Sequence, residues 1–274
     1  MSSYWRAVIH QAVILFLIAL WLIPVYAMLI DGLKSSRSVL FTPVLMPGGF
    51  SPSAFISVLF SLMRPIANSL IVVVPTAALS TYFGALAAFA FYRYVSRLSD
   101  VIFSIVALAT FIPFEAVSLP LTKLVISLGL FNSYLGIIFA LLVFYLPTGA
   151  LLMSIFIVVF PKQVIDAARA DGAGNWVLFN KIVMPLMMPG MISTFIFVLI
   201  ETWNNFFIPL VLIETPSMKT ATLAAMDYIG GYGILYNQVF AASFVISLLP
   251  LLIFIFLGRY FIRGLLVLGG GTKG

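Results

Sequence analysis

Cysteine is absent from the 274 residues, histidine occurs once, and only 8% of positions carry a charge. The missing cysteine removes disulfides and thiolate metal sites. The single histidine, His10, has no ligand cluster around it in sequence, so no metal site is expected. Soluble domains are about 25% charged. The scarcity of charge therefore excludes a soluble globular protein, a disordered chain and a solvated coiled coil. Net charge is +6, yet no block of basic residues occurs, so no nucleic-acid partner is expected. The polar segments hold no nucleophile beside a base, and no catalytic residue is expected.

What is present is hydrocarbon: 63% of residues are hydrophobic and mean hydropathy is +1.21. Long charge-free runs point to membrane-spanning helices rather than a β-barrel, whose short strands alternate polar and apolar. A helix needs about 20 apolar residues to cross a bilayer. Gln11 to Ile30 is such a run. A signal peptide competes there, but its apolar stretch is shorter, about 7–15 residues, and ends in a cleavage site that this run lacks. The spacing of charges, prolines and turn residues predicts an all-α membrane protein with six spans, at 11–30, 66–92, 101–122, 133–160, 184–212 and 239–258. The third is expected to break or end near Glu115, between Pro113 and Pro120. Gly129 and Asn132-Ser133 supply the turn before the fourth.

Six spans put both termini on one side. Nine of the 14 Lys and Arg fall on that side and five on the other. The basic-rich side faces the cytosol. The expected topology is a multi-pass plasma-membrane protein with cytosolic termini, a cytosolic loop at 161–183 and a cytosolic tail at 259–274.

That loop is the most polar stretch in the chain. Pro161 suits the first position of a short helix and Gly172 its stop, with Val164, Ile165 and Ala168 on one side. Gly174-Asn175 opens a second short helix, with Trp176, Phe179 and Val183 at i, i+3 and i+7. The small residues Ala167 and Ala168 permit close approach by a partner, and the acids there suit its basic or backbone donors. From the residues alone, a docking surface and an amphipathic loop on lipid headgroups remain open.

The same segment resembles the EAA loop of the permease subunits of ABC importers. That pattern is Glu-Ala-Ala, three residues, Gly, nine residues, Ile, one residue, Leu-Pro. Here Asp166-Ala167-Ala168, Gly172, Ile182 and Met184-Pro185 keep the whole spacing, with Asp166 for Glu and Met184 for Leu. Ala167 to Ala173, Phe179, Ile182, Pro185 and Pro189-Gly190 further resemble sugar importers of the maltose type. So do Leu128-Gly129-Leu130, Pro147 and Trp203-Asn204-Asn205-Phe206. Arg263-Gly264-Leu265 and Gly271-Thr272-Lys273-Gly274 resemble the tail of that family's second permease. The resemblance runs from about residue 64 to the end.

The resemblance implies a type I ABC importer fold, with 1–274 as one permease domain. It implies a heterodimer with a second permease, seated on two cytosolic ATPase subunits and served by an external sugar-binding protein. The chain has no Gly-x-x-x-x-Gly-Lys-Ser/Thr phosphate loop, so ATP and Mg would be bound by those ATPases and no cofactor by this chain. Asp166, Ala167, Ala168, Asp171, Gly172 and Ala173 would form the coupling helix in an ATPase groove. Gly271, Thr272, Lys273 and Gly274 would be a second ATPase contact, against terminal disorder.

Within the spans, an acid at a helix centre costs about 2.5–3.5 kcal/mol on insertion scales. Glu201 is the sharpest such residue, followed by Trp203, Asn204 and Asn205. The resemblance places the fifth span along the path, where Glu, Asn and Trp suit sugar hydroxyls and a sugar ring face. Pairing of Glu201 with the partner permease, or exposure at the outer interface, remain open. Glu115 reads as the outer end of a helix, with Lys123 as a conceivable partner. Asn68 and Ser69 read as helix caps, and the Pro- and Gly-rich loop from Asp31 to Arg64 as a binding-protein dock or a passive linker. Two rival functions stand: an ABC permease for a non-sugar solute, and an ion-coupled secondary transporter using Glu115 and Glu201.

Overall fold

The computed structural model describes residues 3–230 and 234–270, with side chains described for 8–230 and 234–259. Among these residues the only strand-like pairing is an isolated antiparallel bridge between Lys34 and Phe50. Everything else regular is helical, as a bilayer demands of a chain that must satisfy its own backbone. The helices are α1 Ser3–Gly32, α2 Ser38–Phe41, α3 Ser53–Arg93, α4 Arg97–Ala109, α5 Phe114–Ser127 and α6 Tyr134–Val158. Then come α7 Lys162–Ala170, α8 Asn175–Val177, a π-helical turn Leu178–Val183, α9 Met184–Leu186 and α10 Met188–Asn204. Last are α11 Phe207–Leu212, α12 Ala221–Ala225 and α13 Tyr236–Gly270.

By length and composition, Val8–Gly32, Ser53–Arg93, Tyr134–Val158 and Tyr236–Arg259 can each cross a membrane. Two further segments qualify only as bent pairs: α4 with α5, at 101°, and Asn175–Leu186 with α10, at 79°. The stretches at 101–122 and 184–212, read from sequence as spans, are therefore bent or interrupted. In the first, α4 stops at Ala109 and Pro113 opens α5. In the second, a break at Asn205-Phe206 separates α10 from α11.

The stretch 66–92 belongs to a longer helix that begins at Ser53. Arg64 and Pro65 look like a boundary in sequence. However, an internal proline removes only one backbone donor, and α3 runs through both Pro65 and Pro75. Likewise α13 continues past Gly258 to Gly270. On α6, Ser133 caps the first turn by accepting from the Gly136 amide at 3.0 Å.

The chain divides into two compact units, Met1–Arg64 with Ala224–Leu249, and Pro65–Leu223 with Pro250–Gly274. In the first, a buried ion pair joins Lys34 Nζ to Asp31, and Nζ also donates to the Pro43 carbonyl at 2.9 Å. Asn237 Nδ2 donates to the Lys34 carbonyl at 3.2 Å.

The second unit is organised around α6, which packs against α4, α5, α10 and α11. A helix apolar on every side can meet other helices on some faces and lipid on the rest. Gly84 of α3 and Gly149 of α6 bring two backbones together: a Cβ on Gly84 would lie 2.4 Å from the Gly149 carbonyl carbon. One apolar cluster gathers Val72, Leu121, Val125, Ile137, Leu141, Ile208 and Leu212. Another gathers Ala85, Phe89, Met153, Ile157, Ile165, Leu178, Phe179 and Val183.

Candidate functional site: a docking helix and a polar cavity

The loop helix α7 is built by its sequence in three steps. Pro161 stands at its N-cap in extended conformation. Ile165 is buried while Val164 and Ala168 are half-buried, all packed into the cluster of Phe89, Met153, Leu178 and Phe179. At the other end the Ala173 amide donates to the Ala168 carbonyl at 3.0 Å and the Gly172 amide to the Arg169 carbonyl at 2.9 Å. These two bonds make a Schellman stop, which needs a left-handed residue. Gly172 supplies it with φ of +84°. The opposite face is left outward: Asp166, Ala167, Arg169, Ala170 and Asp171 are exposed. Ala168 and Ala173 are half-buried, so Ala167 is the member of the Ala-Ala pair that a partner can reach.

The second short helix differs from the sequence expectation. Asn175–Leu186 is one helical segment with a π-turn at Leu178–Val183. A π-turn holds more residues per turn, so the i, i+3, i+7 count slips. Phe179 and Val183 are buried, but Trp176 is 65% exposed. Asn180 accepts from Tyr82 Oη at 3.0 Å, which ties this segment to α3. Asn175 Nδ2 donates to Tyr94 Oη at 2.9 Å. Between α3 and α7 lies a pocket of about 200 Å³ lined by Tyr92, Arg93, Lys162, Asp166 and Arg169. Lys162 Nζ sits 5.8 Å from the centre of the Tyr92 ring, and Tyr92 Oη donates to the Phe160 carbonyl at 3.2 Å.

A larger cavity, about 410 Å³, lies among α4, α6, α10 and the α10–α11 break. Glu201 and Asn205, four residues apart, both line it. Asn205 is in extended conformation, and its Oδ1 accepts from the Ile208 amide at 3.0 Å, capping α11. Its freed carbonyl accepts from Thr222 Oγ1 at 3.2 Å. Irregular backbone at membrane depth is tolerated where it is buried in protein or lines a cavity. Trp203 is buried in helix packing and Asn204 is exposed outside the lining, so neither shares this cavity. The sequence reading missed the rest of the wall: Tyr145 and Thr148 on α6, Thr110 after α4, and the rings of Phe111, Phe114, Phe144 and Phe197. Tyr145, Asn205 and Glu201 thus share one wall. Two hydroxyls flanking Pro147 in the middle of a mostly apolar helix were the available signal.

Asn68 and Ser69 are not caps of their own helix, because α3 begins far upstream. Asn68 Nδ2 donates to the carbonyls of Ser217 at 3.0 Å and Lys219 at 2.9 Å, and Tyr134 Oη donates to Asn68 Oδ1 at 2.7 Å. Ser69 Oγ accepts from the Ala221 amide at 2.8 Å, capping α12 from another helix. Glu115 is exposed in the first turn of α5 and makes no ion pair with Lys123. His10 is exposed, and no group of three or more His, Cys, Asp or Glu that could hold a metal occurs among the described residues. Gly271, Thr272, Lys273 and Gly274 lie outside the described residues.

Residues 80–267 match the family of binding-protein-dependent transport system inner membrane components, and the chain belongs to it. It is 56% identical to the glucose import system permease protein GlcU of Saccharolobus solfataricus, over 98% of this chain and 96% of that protein. It is 30% identical to the arabinooligosaccharides transport system permease protein AraQ of Bacillus subtilis, over 93% and 92% of the two chains. Its fold superposes on a chain of a bacterial ABC transporter involved in import of the acidic polysaccharide alginate. That match has a TM-score of 0.79 at 22% identity and covers 95% of this chain and 99% of the other. The chain is thus a multi-pass membrane protein with the permease fold of type I ABC importers.

Proposed function

We propose that this chain is the translocating permease subunit of an ATP-driven importer that brings a sugar into the cytosol. The observation that carries the reading is the two-faced α7: one face is locked into the transmembrane core by Ile165, the other presents Asp166, Ala167, Ala170 and Asp171 outward. Two cytosolic ATPase subunits, which bind ATP and Mg, seat one such helix from each of two different permeases. Both termini lie on that side, and the tail at Gly271 to Gly274 adds an ATPase contact. An external binding protein delivers the sugar. The glucose and arabinooligosaccharide permeases among its relatives support a sugar, with a monosaccharide favoured by the higher identity to the former.

The mechanism follows from the packing. A push on α7 bears on Ile165, and through it on Phe89 of α3, Met153 and Ile157 of α6, and Phe179 of the π-turn. Close-packed cores switch between discrete arrangements rather than deform. Movement of the ATPase pair therefore turns these helices as a body. In the cavity, Glu201, Asn205 and Tyr145 offer hydroxyl partners and the phenylalanine rings an apolar face, as a sugar requires.

The test is co-purification from the native membrane followed by uptake in vesicles. A second permease and a P-loop ATPase should accompany the tagged chain, and ATP should drive uptake of labelled glucose or a short oligosaccharide. The double variant Asp166→Lys, Gly172→Asp should lose the ATPase and the uptake together. Uptake that survives both changes removes the coupling role of α7.

A further inference from the structure

The segment after α1 is built unlike a water-exposed loop. Its two charges near the turn, Asp31 and Lys34, are each 1% exposed and spent on one another, with the Lys34 ammonium also held by the Pro43 carbonyl. After Arg37 no charged residue occurs until Arg64. Much of the backbone bonds to the segment itself. Ser35 N donates to the Gly49 carbonyl at 2.9 Å, Ser51 N to Leu33, Thr42 N to Ser38 and Met46 N to Pro43. Ser38 Oγ accepts the Gly49 amide at 2.9 Å, and Pro43, Pro47 and Pro52 bring no donor at all. On this stapled frame Leu40, Phe41, Val44, Leu45, Met46 and Phe50 all point outward, Phe41 at 80% and Phe50 at 76% exposure.

We propose that residues 38–50 are an interfacial element seated in the bilayer leaflet at the C-terminal end of α1, with lipid as the occupant of its apolar face. Three observations select lipid. A soluble partner recognised in water is met through charge as well as apolar contact, and residues 38–50 carry none; Arg37, exposed at their edge, has the length to reach lipid headgroups. A backbone tied largely to itself leaves few polar groups to hydrate at the edge of an apolar medium. The patch is also continuous with exposed apolar faces of the helices that flank it: Tyr26 and Leu29 on α1 just before it, and Ile56, Leu59 and Phe60 on α3 just after. The buried Asp31–Lys34 pair then has a reason, since it fixes the frame without presenting charge to hydrocarbon. The inference does not rest on which solute is carried.

The chain has no cysteine, so single labels can be placed cleanly. Phe41→Cys, Leu45→Cys and Phe50→Cys, with Leu40→Cys as a substitute for any that fails to assemble, are each spin-labelled in the assembled importer in phosphatidylcholine nanodiscs. Leu15→Cys, on an exposed face of α1, serves as the lipid reference. Power saturation compares collision with oxygen and with a water-soluble nickel chelate, after subtracting the unsubstituted complex. The expected result is an oxygen-dominated ratio at all three sites, within about twofold of the Leu15 reference. Nickel-dominated collision, with or without protection on adding the binding protein, overturns the proposal in favour of an aqueous loop. Low collision with both reagents overturns it in favour of burial against another protein chain.

Discussion

Gly84 and Gly149 lie back to back. A Cβ on Gly84 would fall 2.4 Å from the Gly149 carbonyl carbon, and one on Gly149 would fall 2.2 Å from the Ser80 carbonyl oxygen. Both obstacles are backbone, which cannot rotate away. Close helix approach through small residues is how membrane helices gain packing when lipid is as apolar as their side chains. Here it joins α3 to the central α6. Gly149→Ala should cost about 1–3 kcal/mol through overpacking and lower the thermal unfolding midpoint of the detergent-solubilised complex. Gly174→Ala, where nothing lies within 4 Å of the new Cβ, should leave that midpoint unchanged.

The Asp31–Lys34 pair predicts a second asymmetry. Removing one partner of a buried pair costs about 3–5 kcal/mol, because the other charge is left without compensation. Lys34→Met should therefore be far more destabilising than the double variant Asp31→Asn, Lys34→Met. Thermal unfolding of the two, side by side, checks it. Equal losses would mean that Lys34 acts through its stem and its bond to the Pro43 carbonyl rather than its charge.

Much of this was legible in the residues. The stop at Gly172 follows from its being the residue best suited to a left-handed stop, and the turn before α6 from Asn132-Ser133. Asn132 has φ of 54°, and its Oδ1 accepts amides from Glu214 and Thr215 at 3.1 Å. The illegible parts share a cause: they depend on distant chain. Asn68 and Ser69 look like caps because caps are local, whereas the backbone they bind is about 150 positions away. Tyr145 and Thr148 gain meaning only once α6 is set against Glu201 and Asn205. The π-turn at Leu178–Val183 breaks the helical count on which Trp176 was grouped with Phe179.

The polar cavity makes a prediction about uptake rather than assembly. Glu201→Gln removes the charge and Asn205→Ala the amide from its wall, and Tyr145→Phe removes the hydroxyl beside them. Each should raise the half-saturation for uptake by up to about tenfold, equivalent to roughly 1.4 kcal/mol of lost interaction. Co-purification with the ATPase should be unchanged. Trp203→Phe, on a buried side chain outside this wall, should instead lower thermal stability and leave the half-saturation where it was. The reverse pattern would move the solute path away from this cavity.

Gly172 separates the shape of the coupling surface from its charge. At φ of +84° any L side chain is strained, and the space around its Cβ is empty, so strain is the only local consequence of Gly172→Ala. A left-handed non-glycine costs about 1–2 kcal/mol. That cost falls on the Schellman stop, which fixes the direction of the chain leaving α7 beside Asp171. The core contact through Ile165 is untouched. Gly172→Ala should therefore fold and reach the membrane at the normal level, yet bind the ATPase about five- to thirtyfold more weakly. Gly172→Asn should recover part of that loss, because asparagine tolerates the left-handed region better. Titrating purified ATPase onto the reconstituted permease pair reads the effect. If alanine and asparagine weaken binding equally, the partner is sensing bulk at residue 172, not the backbone turn it makes.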